Sequence, residues 1–208
     1  MDRTPSCLIC SSSTKFYTKK NFHNYFKCPS CGLIFLYPSP TAAELNAYYG
    51  QEYFISDGSS KRGYDNYNLT IAFKRPFYEF LFFHLKALTP TAVLDVGAAY
   101  GDFVQFLKER GLNARGLEIS DHAAAAARSR GLNVATSSLE DFAKTPLLPS
   151  GRQFDLVTAL DVFEHFFNFE EALKSLEKLT ASGGHLLIVT PNTKSLTARL
   201  LWKHWYQL

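Results

Sequence analysis

Cysteine is absent from residues 32–208, methionine occurs once, and no apolar run approaches the roughly 18 uninterrupted residues that a membrane span requires. The start, MDRTPSCLIC, has no basic segment followed by an apolar one, so no export signal is read and a soluble cytoplasmic protein with no membrane partner is expected. An excess of charge of one sign is missing as well. The 22 Lys and Arg against 19 Asp and Glu leave a net charge of +3, too little to demand a nucleic acid or an anionic surface. Neither G-x-S-x-G nor G-x-x-x-x-G-K-S/T occurs, which removes support for serine-hydrolase and P-loop chemistry. There is no internal repeat, and the one biased tract is an alanine run at 123–127, a strong helix former. What remains is a chain of 208 residues with 46% apolar content, enough for one substantial core and a small appendage that cannot support itself.

The appendage is at the N-terminus. All four cysteines fall there, as Cys7 and Cys10 in CLIC and Cys28 and Cys31 in CPSC, with 17 residues between the pairs. Two C-x2-C turns so spaced suit a tetrahedral zinc ion held by four thiolates; free thiols or disulfides are the alternatives. Around them KFYTKKNFHNYFKCPSCGLIFLYP alternates aromatic and polar residues as short strands do, so residues 1–40 are expected to form a zinc ribbon. Arg3, Lys15, Lys19, Lys20 and Lys27 against Asp2 leave four positive charges through Pro40. A four-thiolate zinc site carries a net charge of −2 and halves that excess, favouring a metal-stapled cap over a nucleic-acid grip.

Residues 41–89 read as a helical extension. Thr41 with Glu44 three residues on is a capping box for a short helix. SDGSSKRGYDNYN, residues 56–68, is polar and without period, a mobile lid or a disordered linker. From about Lys74 to Leu88 the residues Phe77, Phe80, Leu81, His84, Leu85 and Leu88 recur at helical spacing and are expected to pack on a sheet, with His84 at the edge of the core.

After Pro90 strand, turn and helix alternate. AVLDV, ARGLEI, LNVATSS, FDLVTALDV and HLLIVTPN are five strands; GDFVQFLKERG, SDHAAAAARSRG with its Ser120 cap, and NFEEALKSLEKLTASGG are the helices between them. Near-continuous apolar strands in that alternation imply an α/β fold, a doubly wound, mostly parallel Rossmann-like sheet over residues 90–208. Ligands of such sheets bind outside the carboxyl ends of the strands. VLDVGAAYGDF lies there. Gly97 and Gly101 offer bare backbone, yet the nicotinamide fingerprint G-x-G-x-x-G fails at Ala99 and Asp102. Asp95 at the strand end suits a cation better than a pyrophosphate, and Glu118 at the end of the second strand can accept both hydroxyl protons of a ribose. A nucleoside with an amino-acid portion, S-adenosylmethionine, satisfies both.

On these residues the sequence resembles the class I S-adenosylmethionine-dependent methyltransferases, in particular those with an N-terminal cysteine ribbon. The family's acid-x-Gly-x-Gly-x-Gly loop stands here as Asp95-Val96-Gly97-Ala98-Ala99-Tyr100-Gly101, with alanine at the middle glycine, tolerable if its φ stays negative. The resemblance implies that Glu118 holds the ribose, Ile119 covers the adenine, Asp141 meets the adenine amino group with Leu139 and Glu140 beside it, and Leu160 and Asp161 border the methionine end. CGLIFLYPSPTAAELNAYYGQEYF resembles ribbon-bearing methyltransferases of sugars, including nucleotide-linked deoxysugars. The expected partner is therefore a small-molecule acceptor. An RNA methyltransferase that grips substrate with its ribbon and a noncatalytic cofactor-binding remnant are the alternatives. No oligomeric state follows.

Methyl transfer needs nucleophile, methyl carbon and sulfur held in line. An oxygen or carbon acceptor also calls for a base, and His165 in FEHF is the candidate; anchoring the following helix is its other possible role. Tyr100 and Asp161 are weaker candidates for that chemistry. Resembling enzymes continue past the fifth strand with a further helix and two strands, so a chain ending in SLTARLLWKHWYQL is expected to be C-terminally incomplete.

Overall fold

The computed structural model describes residues 4–20, 22–41, 44, 67–144, 153–166 and 168–205. Two sheets organise it. Strands β1 (Lys15–Lys20), β2 (His23–Lys27) and β3 (Ile34–Leu36) form an antiparallel sheet in the order β1-β2-β3. The second sheet comprises β4 (Ala92–Val96), β5 (Asn113–Glu118), β6 (Val134–Thr136), β7 (Phe154–Leu160) and β8 (Thr180–Val189), all parallel, in the order β6-β5-β4-β7-β8. The chain starts this sheet at its centre, builds outward to β6, then crosses back to lay β7 on the other side of β4. That reversal opens a crevice at the carboxyl ends of β4, β5 and β7. The expected α/β fold, parallel and Rossmann-like with a small N-terminal sheet, is the one observed.

Side chains alternate across the sheet and fill two cores. On one face Val93 and Leu156 pack beneath α1 (Tyr67–Leu85), α2 (Asp102–Lys108) and α3 (Asp121–Ser129), which bring Leu81, Leu85, Phe103, Leu107, Ala124 and Ala127. On the other, Leu94, Val96 and Val157 lie under α4 (Leu139–Lys144) and α5 (Phe169–Leu179), with Phe142, Leu176 and Leu179. Every crossover lies on the flank its apolar stripe selects. Asp155 caps the entry to β4, one carboxylate oxygen accepting from the backbone N–H of Thr91 at 2.9 Å and of Ala92 at 3.0 Å.

Several boundaries differ from the sequence reading. Helix α1 begins at Tyr67 and runs through Pro76, so Tyr67 and Asn68 belong to it; residues 56–66 of the expected lid lie outside the described residues. Its buried stripe is Tyr78, Leu81 and Leu85, while Phe77, Phe80 and His84 are solvent-facing. At 100° per residue those three fall on the adjoining flank, and His84 is edged by Phe80 and Phe83 instead of meeting the sheet. Helix α5 stops at Leu179 rather than near Gly184, because Thr180 turns extended (φ −85°, ψ 129°), donates its hydroxyl to the Leu176 carbonyl at 2.7 Å and pairs with Phe154. The Thr41–Glu44 capping box is present: Glu44 accepts from the Thr41 N–H at 2.7 Å and Thr41 Oγ1 from the Glu44 N–H at 3.2 Å. The rest of that expected helix lies outside the described residues. No helix among the described residues is long and apolar enough to cross a membrane.

One position in β5 governs how closely the first loop seats on the sheet. A Cβ at Gly116 would lie 2.7 Å from Ala98 Cβ and 2.9 Å from Val134 Cγ2. Gly116→Ala is therefore expected to overpack this contact at a cost of about 1–3 kcal/mol, read as a lower urea midpoint; an unchanged midpoint would contradict the packing described.

Candidate functional site

The crevice is framed by the loop from β4 to α2. Gly97 leaves β4 with φ 76°, and a Cβ there would stand 2.6 Å from Val162 Cγ2, so only glycine lets the chain turn under Val162. The N–H groups of Gly97 and Ala98 both donate to the Leu117 carbonyl, at 2.8 and 3.0 Å. The next N–H, that of Ala99, donates to Glu118 Oε2 at 2.8 Å. Ala99 itself stands at φ 47°. The expectation of a negative φ is thus corrected: alanine occupies the left-handed region, where a side chain costs about 1–2 kcal/mol. Gly101, at φ 78°, caps α2.

Glu118 ends β5 with its side chain buried. Oε1 accepts from the Ser120 N–H at 2.8 Å while Oε2 serves Ala99, and a carboxylate has about four lone-pair sites in all. Burial pushes this carboxyl above its usual pKa, and the N–H groups of Ser120, Ala99 and Ile119 pull it back. Ser120 also caps α3, its Oγ accepting from the Ala123 N–H at 3.4 Å.

Asp95 sits below the loop, not at an open surface. It is 4% exposed, and its Oδ1 accepts from Thr158 Oγ1 of β7 at 2.7 Å. Burial pushes its carboxyl up to about 7; Thr158 and Lys74 oppose the shift and Glu118 and Asp102 add to it. Asp102, likewise buried, is held by Arg130 Nη1 at 2.8 Å, with its Oδ2 lacking a hydrogen-bond partner among the described residues. Arg130 also donates to the Tyr100 carbonyl at 2.9 Å and to Gln105, clamping the loop from outside. Three acids thus crowd one strand end.

The remaining cofactor candidates divide. Ile119 is 54% exposed beside Glu118. Leu139 is buried in the second core rather than in the crevice, because α4 turns that face inward. Glu140 is half-buried, and Asp141 is exposed and paired with Lys144 at 2.9 Å. Leu160 packs against the first core. Asp161 ends β7 at φ 52° with its N–H donating to the Val189 carbonyl at 2.9 Å. It lines a cleft of about 410 Å³ together with Phe77, Val189, Thr190, Pro191, Asn192, Ser195, Thr197 and Trp205. The nearby turn carries Glu164, raised by burial and by Asp161 and accepting from Thr190 Oγ1 at 3.2 Å. It also carries His165, exposed at the surface, whose imidazole is drawn below its ordinary value by partial desolvation against the pull of Asp161.

Thr158, Arg130, Gly116 and the cleft residues after Val189 were not singled out from sequence. Thr158, a hydroxyl inside the apolar run FDLVTAL, was the one with a legible signal; Arg130 has none.

The four cysteines converge. Their sulfurs lie within 4.8 Å of one another, Cys7 to Cys31 and Cys10 to Cys28 each at 3.5 Å, and all are free thiols. A tetrahedral ion with Zn–S bonds of about 2.3 Å sets sulfurs about 3.8 Å apart, so the donor set fits. Both knuckles share one turn: Ser11 N–H donates to the Cys7 carbonyl and Gly32 N–H to that of Cys28, each at 3.0 Å, with Ser11 and Gly32 at positive φ. Hydrogen bonds from Ser12 bring Cys10 down to about 6. Cys31 stands at about 12, a Leu33 backbone hydrogen bond being outweighed by burial and the neighbouring sulfurs. Four such sulfurs need a cation to be charged together.

A family model described as a methyltransferase domain matches residues 70–208. Among curated proteins the chain is 35% identical over 106 residues to a demethylmenaquinone methyltransferase of Thermus thermophilus, covering 48% of this chain and 47% of that protein. It is 32% identical over 102 residues to a mitochondrial ubiquinone biosynthesis O-methyltransferase of Arabidopsis thaliana, covering 48% and 32%. The chain thus spans half or less of the curated relatives it matches. The PH0226 protein of Pyrococcus horikoshii OT3 shares the fold, with TM-score 0.51 and 20% identity over 77% of this chain and 67% of that one.

The Asp95 carboxyl makes stability depend on pH. With a folded value of about 7 and an unfolded one of about 3.9, the folded state holds a proton that the unfolded state releases. Its contribution is therefore complete below about pH 4 and is lost as pH rises to about 7, by at most about 4 kcal/mol. Asp95→Asn is expected to flatten urea-measured stability across that window relative to the wild type; parallel pH profiles would contradict the burial of this charge.

Proposed function

The chain belongs to the methyltransferase-domain family, and from that premise we propose that it transfers a methyl group from S-adenosylmethionine to a small molecule of the sugar or nucleotide-sugar type. The observation that carries the cofactor reading is Glu118: a buried carboxylate oriented by backbone N–H groups, Ala99 on one oxygen and Ser120 on the other, with acceptor capacity for the hydroxyls of a vicinal diol. The crowd of Asp95, Asp102 and Glu118 against one arginine favours a ligand of positive charge over a pyrophosphate. S-adenosylmethionine supplies a methyl group on a sulfonium. The chain's part is to orient and enclose: Glu118 the ribose, Ile119 the adenine face, the loop 97–101 the amino-acid portion, Leu160 and Asp161 the methyl end. Asp141, paired with Lys144, is reserved for the adenine amino group, with Glu140 beside it.

The cleft beyond Asp161 supports the acceptor class. Asp161, Thr190, Asn192 and Ser195 offer carboxylate, hydroxyl and amide partners, and Phe77 and Trp205 offer ring faces, the combination a hydroxylated ring can use. The names of the relatives place them on demethylmenaquinone and in ubiquinone biosynthesis, which favours a small molecule over RNA. His165, on the turn that follows Asp161, is the candidate base. The cysteine cluster is assigned to structural zinc on its donor set.

Glu118→Ala should weaken S-adenosylmethionine binding by about 100-fold or more, since it removes two charge-assisted hydrogen bonds; calorimetric titration that finds equal affinity discredits the ribose assignment. Labelled-methyl uptake should appear in nucleotide sugars and not in RNA. Metal analysis should find one zinc per chain, lost in Cys28→Ser together with part of the thermal stability; a folded, metal-free wild type rules out the zinc assignment.

A further inference from the structure

The cleft's wall at Trp205 is tied to the ribbon. Trp205 is 8% exposed and follows the short turn Trp202–His204. Its carbonyl accepts a hydrogen bond from Lys20 Nζ at 2.6 Å, across 185 positions of sequence. The Trp202 ring in the same turn meets Tyr17 edge-on at 6.5 Å between centroids. Lys20 and Tyr17 both stand on β1, and β1 is registered by β2, whose last residue, Lys27, pairs with Lys15 and adjoins Cys28. Backbone pairing from the thiol cluster to β1, completed by the Lys20 side chain, therefore runs to the backbone of Trp205 in the cleft wall. The lysine ammonium is partly desolvated there, burial drawing it below the ordinary lysine value, so the contact is more than a surface pairing.

The crevice around Glu118 is fixed differently, by hydrogen bonds among residues 95–158 of β4, β5, β7 and α3. The two sites thus have separate supports. We propose that the cysteine ribbon is the positioning element of the acceptor cleft: with metal bound it holds Trp205 in the wall through Lys20, and it does so independently of the cofactor crevice. This rests on the reading of that cleft as the acceptor site. It makes the ribbon part of acceptor recognition without any ribbon side chain touching the acceptor.

The test uses the full chain in a Trp202→Phe background, where Trp205 is the one remaining tryptophan. Acrylamide quenching reports the exposure of its indole, and calorimetry with S-adenosylhomocysteine reports the crevice. Stripping the metal with a chelator and Lys20→Met should each raise the quenching constant by about twofold or more, while S-adenosylhomocysteine affinity stays within about twofold; Lys20→Arg should keep Trp205 protected. Unchanged quenching after either treatment overturns the proposal. So does quenching that rises only as S-adenosylhomocysteine affinity is lost, which would mean that the fold as a whole has loosened. Failure of the untreated protein to bind S-adenosylhomocysteine counts against the methyltransferase reading instead, and the quenching comparison still decides what holds Trp205.

Discussion

The crevice depends on one buried carboxylate being solvated by backbone instead of water. Glu118 is removed from solvent at the end of β5, a placement that costs several kcal/mol unless donors replace the lost hydration. The N–H groups of Ala99 and Ser120 replace it at 2.8 Å each. Other features serve that pairing. Gly116 keeps its side of β5 bare so that Ala98 can settle, Gly97 turns the chain under Val162, and the loop passes Ala99 in the left-handed region before Gly101 caps α2. Arg130 closes the loop from the far side through Tyr100 and Asp102.

A second consequence is electrostatic. Asp95, Asp102 and Glu118 are all buried, and the Asp95 carboxyl is raised first by its burial and further by the other two. An arrangement that disfavours its own charges is primed for a cation to relieve them. The same argument recurs at the other end of the chain, where four convergent thiols cannot all ionise without a metal. Both sites are frames of negative potential whose geometry is set by backbone hydrogen bonds and whose charge awaits a ligand.

The alternation of apolar strands with amphipathic helices made the parallel sheet legible, since burial on both faces leaves that pattern and few others. The acids at the ends of β4 and β5 and the glycines between were legible because strand ends and sharp turns restrict residue type. What escaped were features set by tertiary contact. Which flank of α1 faces the core turned on a shift of about one residue around the helix, so Tyr78 is inside and Phe77 and Phe80 are not. The sign of φ at Ala99 is set by the path of the whole loop, and the role of Arg130 by a chain reversal that no local pattern encodes. Leu139 reads as a neighbour of Asp141, yet α4 directs it into the core. The Trp205 carbonyl accepts from Lys20, 185 positions away, a separation beyond any periodicity argument.

The proposed ligand is a nucleoside bearing a positively charged sulfur, seated where β4, β5 and β7 end. The most direct measurement is a crystal structure of the chain with S-adenosylhomocysteine. The account predicts both ribose hydroxyls within hydrogen-bonding distance of the Glu118 carboxylate and the sulfur directed toward Asp161. A ligand bound elsewhere, or a ribose that leaves Glu118 untouched, would contradict it.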